Sequence, residues 1–353
     1  MLAGTVKHLG QEEREHITVE SMSTEAVTTS EIEGEVLDRA SVQSSIRRQL
    51  GLAADKRHVQ PAEEGVAEMM VDLYRSFAAP LSKEMLFGWH RMLMSGRLEL
   101  KDVGRYRTSE EPMQVVSGAI NQPKVHFEAP PSAQVPKEMA QFIDWFNRTA
   151  PGGSETLPAL CRAGVAHLYF ECIHPFEDGN GRIGRALAEK SLAQSLGQPT
   201  LTALAATILA QQKSYYNALE AANQQIEITG WLAWFAGIVI EAQRRTLALI
   251  EFLIYKAKLF ERLKGQINDR QEKALLRMFR EGPDGFKGGL TAGKYTAITG
   301  ASPATTTRDL VDLVKVGALV RVGELRHAHY NLAVPLRAVK HVGVDEQGKL
   351  VES

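Results

Sequence analysis

The chain reads as mainly α: a helical bundle interrupted by one small β-hairpin, followed by a separate C-terminal helix-turn-helix unit that closes with a second hairpin. Three observations carry this reading. Apolar residues recur at i, i+3, i+4 and i+7 through most of residues 62–264. Met113–Glu128 breaks that period and alternates instead. Beyond Asn268 the spacing shortens to three brief helical segments and two strand-like runs. At 353 residues the chain exceeds a single typical core, and the division expected is 1–58, 59–265 and 266–353.

Taken in order, residues 1–16 are polar and irregular, and Thr28-Thr-Ser-Glu-Ile-Glu-Gly-Glu35 leads into a helical run over 36–50. Helices follow near 62–77 and 81–95. The hairpin is placed by Val115 and Val116, a Gly/Asn turn, then Val125 and Phe127 ahead of Ala129-Pro-Pro131. After a helix near 136–147, the clearest periodicity of the chain runs through Leu157, Leu160, Cys161, Gly164, Val165, Leu168, Tyr169 and Cys172. Thr156 is its expected cap, with Pro158 in the first turn. Cys161 and Cys172 sit about 16 Å apart on that helix, beyond disulfide reach, and read as buried thiols. Helices near 182–194, 203–223 and 229–264 complete the bundle.

In the last segment Ala274–Phe279, Thr291–Gly300 and Ser302–Gly317 read as helices, the third capped by Ser302 with Pro303 in its first position. Leu319–Val322 and Ala328–Leu332 flank a turn at Gly323, which gives the pattern of a winged helix-turn-helix. From 287 to 337 seven Lys or Arg (287, 294, 308, 315, 321, 326, 337) face three acids (309, 312, 324), a local excess of four. Two roles stay open for this unit. One is weak DNA binding, with Thr305, Thr306, Thr307 and Arg308 toward a groove and Arg326 on phosphates. The other is protein interaction or dimerisation.

The whole-chain charge argues against a wholesale nucleic-acid or membrane binder: 41 basic and 42 acidic side chains nearly cancel. The strongest apolar run, Trp231–Ile240, is far short of the roughly 20 residues that span a bilayer. The N-terminus lacks the apolar core of a signal peptide. No membrane contact and a cytoplasmic protein are expected.

The chemistry is concentrated in His174-Pro-Phe-Glu-Asp-Gly-Asn-Gly-Arg-Ile-Gly-Arg185. Pro175 biases His174 away from helical angles, so the imidazole projects from the end of the upstream helix and is able to accept a proton near pH 7. Asp178 is a hard oxygen ligand of the kind that holds Mg²⁺ beside substrate phosphates. Gly179 and Gly181 let backbone approach a ligand closely, and the next helix offers free N–H groups to an anion. Arg182 and Arg185 share a face of that helix and can clamp two phosphate groups. Each part alone has an ordinary explanation as a loop, a turn or a solvated face. Together they are the parts for handling a nucleoside triphosphate.

The string His-x-Phe-x-Asp-Gly-Asn-Gly-Arg-x-x-Arg resembles the signature of the Fic family without a mismatch. The resemblance implies a Fic-type helical bundle with a hairpin flap, and transfer of AMP from ATP, with Mg²⁺, to Ser, Thr or Tyr hydroxyls of an unidentified target protein and of the enzyme itself. His174 would be the base, and Glu177, Asp178, Gly179, Asn180, Gly181, Arg182 and Arg185 the ATP and phosphate-binding loop. Asp178 would carry the metal; Phe176, an apolar residue in an otherwise polar loop, is read from its own character as anchoring that loop in the core. Tyr216 and Asn223, two turns apart on one helix, would contact the adenine and ribose region. Val115, Val116 and Ser117 would align the target by strand pairing.

Thr29 followed by Glu33-Gly34 resembles the family's inhibitory motif. By that resemblance Glu33 pairs with Arg185 and misaligns ATP, while Arg182 belongs to the substrate. Homodimers are frequent in the family, so a homodimer is expected. Other readings compatible with the same residues are removal of AMP or another phosphate-containing transfer, a DNA-binding regulator whose Fic domain senses nucleotide, and a nucleotide-independent scaffold.

Overall fold

The computed structural model describes residues 11–119, 122–200, 202–282, 286, 288–324, 328–334, 339–345 and 348–352. The chain divides into two compact units, one of residues 1–243 with 341–353 and one of residues 244–340. This division falls inside a long helix rather than at the expected 265/266, and the final segment belongs with the first unit. Residues 1–58 do not separate from it.

The first unit is helical. Helices α1 (Gln11–Ile32), α2 (Arg39–Gln49), α3 (Pro61–Ser76) and α4 (Lys83–Leu93) precede a two-stranded antiparallel hairpin, β1 (Gln114–Ala119) and β2 (Gln122–Glu128). Then come α5 (Val135–Arg148), α6 (Ala159–Ile173), α7 (Asn180–Leu196), α8 (Leu204–Ala210), α9 (Gln212–Asn223) and α10 (Thr229–Leu263). The helix expected over 203–223 is broken at Gln211, which caps both α8 and α9 in a non-helical conformation. Helix α6 starts at Ala159 behind Pro158, and Thr156 bonds back to Ala150 and Gly153 instead of capping it. Both cysteines are unpaired as expected, but Cys161 is exposed, because its position on α6 faces solvent rather than the core.

Helix α1 was not anticipated as a helix, and the reason lies in its composition. Its sequence is dense in Ser, Thr and Glu and shows no apolar stripe. Yet Ile17, Val19, Met22, Ala26 and Ile32 are buried, and so are Ser21, Ser23, Thr29 and Ser30. Three hydroxyls bond one turn back: Ser23 donates to the Val19 carbonyl, Thr24 to Glu20 and Thr28 to Thr24. Short side chains let α1 pack closely, so tertiary contact decides a helix that propensity disfavours.

Helices α6 and α7 form the heart of the unit. Phe142, Phe146, Phe170, Phe176 and Trp89 fill one side of the core, while Leu168, Ile208, Tyr215, Trp231 and Phe235 fill the other. The segment after His341 is held against α10: Glu241 accepts from the Val342 N–H at 3.1 Å, and Gly237 leaves room for the Val342 carbonyl. It forms a short hairpin, β5 (Val342–Val344) with β6 (Leu350–Glu352).

The second unit contains α11 (Asp269–Phe279), α12 (Ala292–Thr299) and α13 (Pro303–Lys315), then β3 (Leu319–Val322) paired with β4 (His329–Leu332). Ser302 caps α13 as expected, and a bridge from Leu290 to Tyr330 adds a third partner to the hairpin. One groove-facing expectation fails. Thr306 is buried against Thr296, 3.0 Å between hydroxyls, because it occupies the inward face of α13. Arg308 is exposed, whereas Lys287, Arg326 and Arg337 lie outside the described residues.

Candidate active site

The site is built where α6 ends and α7 begins. His174 closes α6 in the left-handed region, φ 49°, ψ 60°, and is the one non-glycine residue with positive φ among those described. An L-residue held there is strained by about 1–3 kcal/mol, and the surroundings must supply the restraint. They do so through Arg107, a residue that sequence reasoning missed. Its side chain is buried, donates to the His174 carbonyl at 2.8 Å and to Ser132 at 2.8 Å, and also reaches the Pro130 carbonyl. The Arg107 backbone N–H donates to Pro175. One guanidinium thus ties the histidine to the chain just beyond the β1–β2 hairpin. A lone arginine ahead of the hairpin carries no local pattern that would have revealed this.

Phe176 does anchor the loop. It is fully buried, stacks on the His90 ring at 4.1 Å and packs against Phe87, Tyr106 and Phe170. Two loop residues grouped with the phosphate site have other employment for their side chains. Asn180 bonds Phe176 twice, accepting from its N–H at 3.0 Å and donating to its carbonyl at 2.9 Å, so it locks the turn from beneath. The Glu177 carboxylate accepts the N–H groups of Lys101 and Asp102 at 2.9 and 3.0 Å. A carboxylate is an unfavourable neighbour for phosphate, and here it braces an adjoining loop. Only the backbone of these two positions remains for a ligand.

Gly179 has φ 83° and caps α7, while a Cβ at Gly181 would lie 2.2 Å from Glu33 Oε1. Asp178 Oδ2 is 2.9 Å from Arg97, and Oδ1 is 3.3 Å from Arg182. No group of three or more His, Cys, Asp or Glu side chains converges on a metal-binding point among the described residues. A single carboxylate at the loop suits Mg²⁺ only when substrate phosphates complete its shell, so the donor set fits a metal that arrives with nucleotide.

Both loop arginines are buried, Arg182 at 3% and Arg185 at 2% exposure, and both face the end of α1. Arg185 donates from Nε to the Thr29 hydroxyl at 2.7 Å, and from Nη2 to the Thr29 carbonyl at 2.9 Å and Glu33 Oε1 at 2.7 Å. Burial disfavours its charge, yet the facing Glu33 raises its pKa further. Arg182, expected to be free for substrate, instead donates from Nη1 to Glu35 Oε2 at 2.7 Å.

A Schellman turn sets this arrangement. The Glu35 N–H donates to the Ser30 carbonyl and the Gly34 N–H to Glu31, with Gly34 left-handed at φ 80°. Glu33 and Glu35 thereby flank the glycine and point at one arginine each. The motif therefore ends the helix before it rather than opening the helix after it, which starts at Arg39 behind the Asp38 cap.

Tyr216 is 44% exposed and donates to the Ile32 carbonyl at 3.3 Å, beside Gln212 at 3.0 Å. Asn223 accepts from the Cys172 thiol at 3.0 Å. Tyr216 thus meets the α1 terminus, and Asn223 meets the last turn of α6. The flap strands pair as anticipated, Val115 with Phe127, Val116 with Val125 and Ser117 with Lys124, with a register shift between Val115 and Val116.

Electrostatics set the histidine. Burial pushes the His174 pKa down to about 4, helped by Arg107 and opposed by Glu33 and Asp178, so the ring is neutral at pH 7. Its Nδ1 is enclosed, 3.9 Å from Glu171. Glu171, a second residue that the sequence did not disclose, is pushed up to about 8 by burial and by Glu33. It lies on the clearest helix of the chain at a position indistinguishable from a solvated one.

The site is thus a strained, neutral histidine at the head of a glycine turn, with two buried arginines behind it, set in a helical bundle. Residues 80–192 match the Fic/DOC family, and residues 1–52 match a domain of unknown function, DUF4172.

It is 33% identical over 69 residues to a probable protein adenylyltransferase of Aquifex aeolicus, covering 20% of each chain. It is 27% identical over 143 residues to a protein adenylyltransferase of Caenorhabditis elegans, covering 40% of this chain and 24% of that one. A protein adenylyltransferase of Drosophila willistoni is 33% identical over 112 residues, 31% of this chain and 20% of its own. The chain thus spans about a fifth to a quarter of the length of these curated relatives. In structure it resembles a Fic family protein from Desulfovibrio desulfuricans (TM-score 0.51, 22% identity, 89% and 87% coverage). It also resembles a Fic-domain signaling protein from Bacteroides thetaiotaomicron (TM-score 0.54, 18% identity, 70% and 93% coverage). These share the fold.

Proposed function

We propose that this protein transfers AMP from ATP to a hydroxyl of a target protein and that Glu33 holds the activity in check. The observation that carries the reading is the capture of Arg185 by Thr29 and Glu33 directly behind the His174 loop. A cation positioned for a terminal phosphate is instead paired with a carboxylate from α1.

The chain's own residues do the following. The Gly179–Gly181 turn and the first N–H groups of α7 bind the polyphosphate, with Arg182 on its inner groups and Arg185 on its far end. Tyr216 and Asn223 border the base and sugar. The flap offers a strand edge along which a target segment aligns, since among the described residues β1 and β2 pair only with each other.

His174, neutral and held by Arg107, takes the proton of the target hydroxyl as its oxygen bonds to the α-phosphorus. The bond from that phosphorus to the bridging oxygen breaks, and pyrophosphate leaves with its charge met by the two arginines. Mg²⁺, held by Asp178 and the phosphates, would neutralise charge on the leaving group.

Incubating the purified protein with labelled ATP and Mg²⁺ tests this. Glu33→Gly should label itself or a target well above wild type, and His174→Ala should abolish labelling. If neither wild type nor Glu33→Gly labels anything, AMP transfer is wrong; if His174→Ala labels like wild type, the base is wrong.

A further inference from the structure

The end of α1 presents two glutamates, not one, and they engage different arginines. Glu33 pairs with Arg185, whereas Glu35 pairs with Arg182. We propose that Glu35 is a separate restraint that competes with phosphate for the guanidinium of Arg182 and goes on weakening the inner-phosphate subsite after Glu33 has released Arg185. The inference rests on the nucleotide reading of the site given above.

Geometry separates the two restraints. The Schellman turn that positions Glu35 is made by backbone groups of Ser30, Glu31, Gly34 and Glu35, with no part played by the Glu33 side chain. A change to the Glu33 carboxylate therefore leaves Glu35 in place. Arg182 is hemmed in by carboxylates: Nη1 meets Glu35 at 2.7 Å, Nη2 meets Asp178 at 3.3 Å, and Nε is buried without a partner. Asp178 is itself shared with Arg97 at 2.9 Å. An anion approaching Arg182 must thus replace the Glu35 oxygen, the shorter of its two contacts, before it can bond to that guanidinium. Glu35 is 29% exposed and sits in a turn, so it can swing toward water at little cost to packing.

The two restraints make different demands on nucleotide. A diphosphate lacks the terminal group that Arg185 would hold, so its binding depends on the Arg182 subsite. The triphosphate depends on both.

Titration calorimetry with ADP and with ATP, in Mg²⁺, on the full chain distinguishes them. The four proteins are wild type, Glu33→Gln, Glu35→Gln and the double variant. Glu35→Gln should tighten ADP about tenfold, a change of about 1.4 kcal/mol, while Glu33→Gln leaves ADP within twofold. ATP should tighten most in the double variant. Glu35→Ala repeats the measurement without an amide that could itself bond to Arg182, and it covers the case of a Gln variant that fails to fold. If both Glu35 variants bind ADP like wild type while Glu33→Gln tightens ATP, this inference is overturned and the proposed function stands. If no protein of the set binds either nucleotide, both fall together.

Discussion

At the scale of single residues, His174 is the one non-glycine residue held at positive φ among those described. Its left-handed backbone and its Arg107 brace fix the ring, and with Nδ1 enclosed the proton is left to Nε2. Because burial lowers its pKa to about 4, the ring should stay neutral through mildly acid conditions and gain a proton only below that value. A histidine NMR titration should place its midpoint well under the ordinary 6.5, and a midpoint at or above 6 would contradict the burial seen here.

Glu171 shows the opposite sign. Its folded pKa of about 8 exceeds the unfolded 4.5, so its contribution to stability is fully present below 4.5 and is lost as pH rises through 8. Glu171→Gln should accordingly melt near wild type at pH 5 and above it at pH 9, by on the order of 2 kcal/mol. Equal melting shifts at both values would sink that assignment. Phe176→Ala removes a fully buried ring stacked on His90 and should cost about 3–5 kcal/mol in a denaturant titration.

At the scale of elements, the turn after α1 is the controlling piece. Gly34 adopts φ 80° with open space around its Cα, so Gly34→Ala meets no clash and is opposed only by backbone strain of about 1–2 kcal/mol. That strain acts on the two hydrogen bonds that set Glu33 and Glu35. The variant should melt slightly below wild type and label faster with ATP. Labelling no faster than wild type would show that the turn does not govern access.

The turn was also the most legible piece that was misplaced. A glycine after a helical run is a stop signal, but the Ser- and Thr-rich run before it does not look like a helix, so the motif was assigned to the start of the next one. The helices from α3 to α7, by contrast, announce themselves by apolar period, caps and prolines, and their bounds lie within a few residues of expectation. The break at Gln211 was invisible because the apolar period continues across it.

At the scale of the whole molecule, α1 belongs to the bundle rather than lying on it. Ile17, Val19, Met22, Ala26 and Ile32 are buried there. At about 1.5–3 kcal/mol for each large apolar side chain, their burial is worth up to roughly 10 kcal/mol, comparable to the whole stability of a typical domain. Deleting residues 1–37 should therefore yield unfolded or aggregated protein rather than a cleanly released enzyme. Circular dichroism of the truncated chain checks this, and a cooperative melt near that of the full chain would refute it.

What the sequence determined by itself was the loop from His174 to Arg185 and the helical class, because each rests on residues close together or on a regular period, whereas the pairing of Glu33 with Arg185 was legible only through the family resemblance. What only the tertiary structure decided were contacts between distant segments. Arg107 reaches His174, Glu35 reaches Arg182 and Glu171 lies beneath the histidine. The reason is physical: a lone charged side chain reads as solvated until the fold shows what has displaced its water.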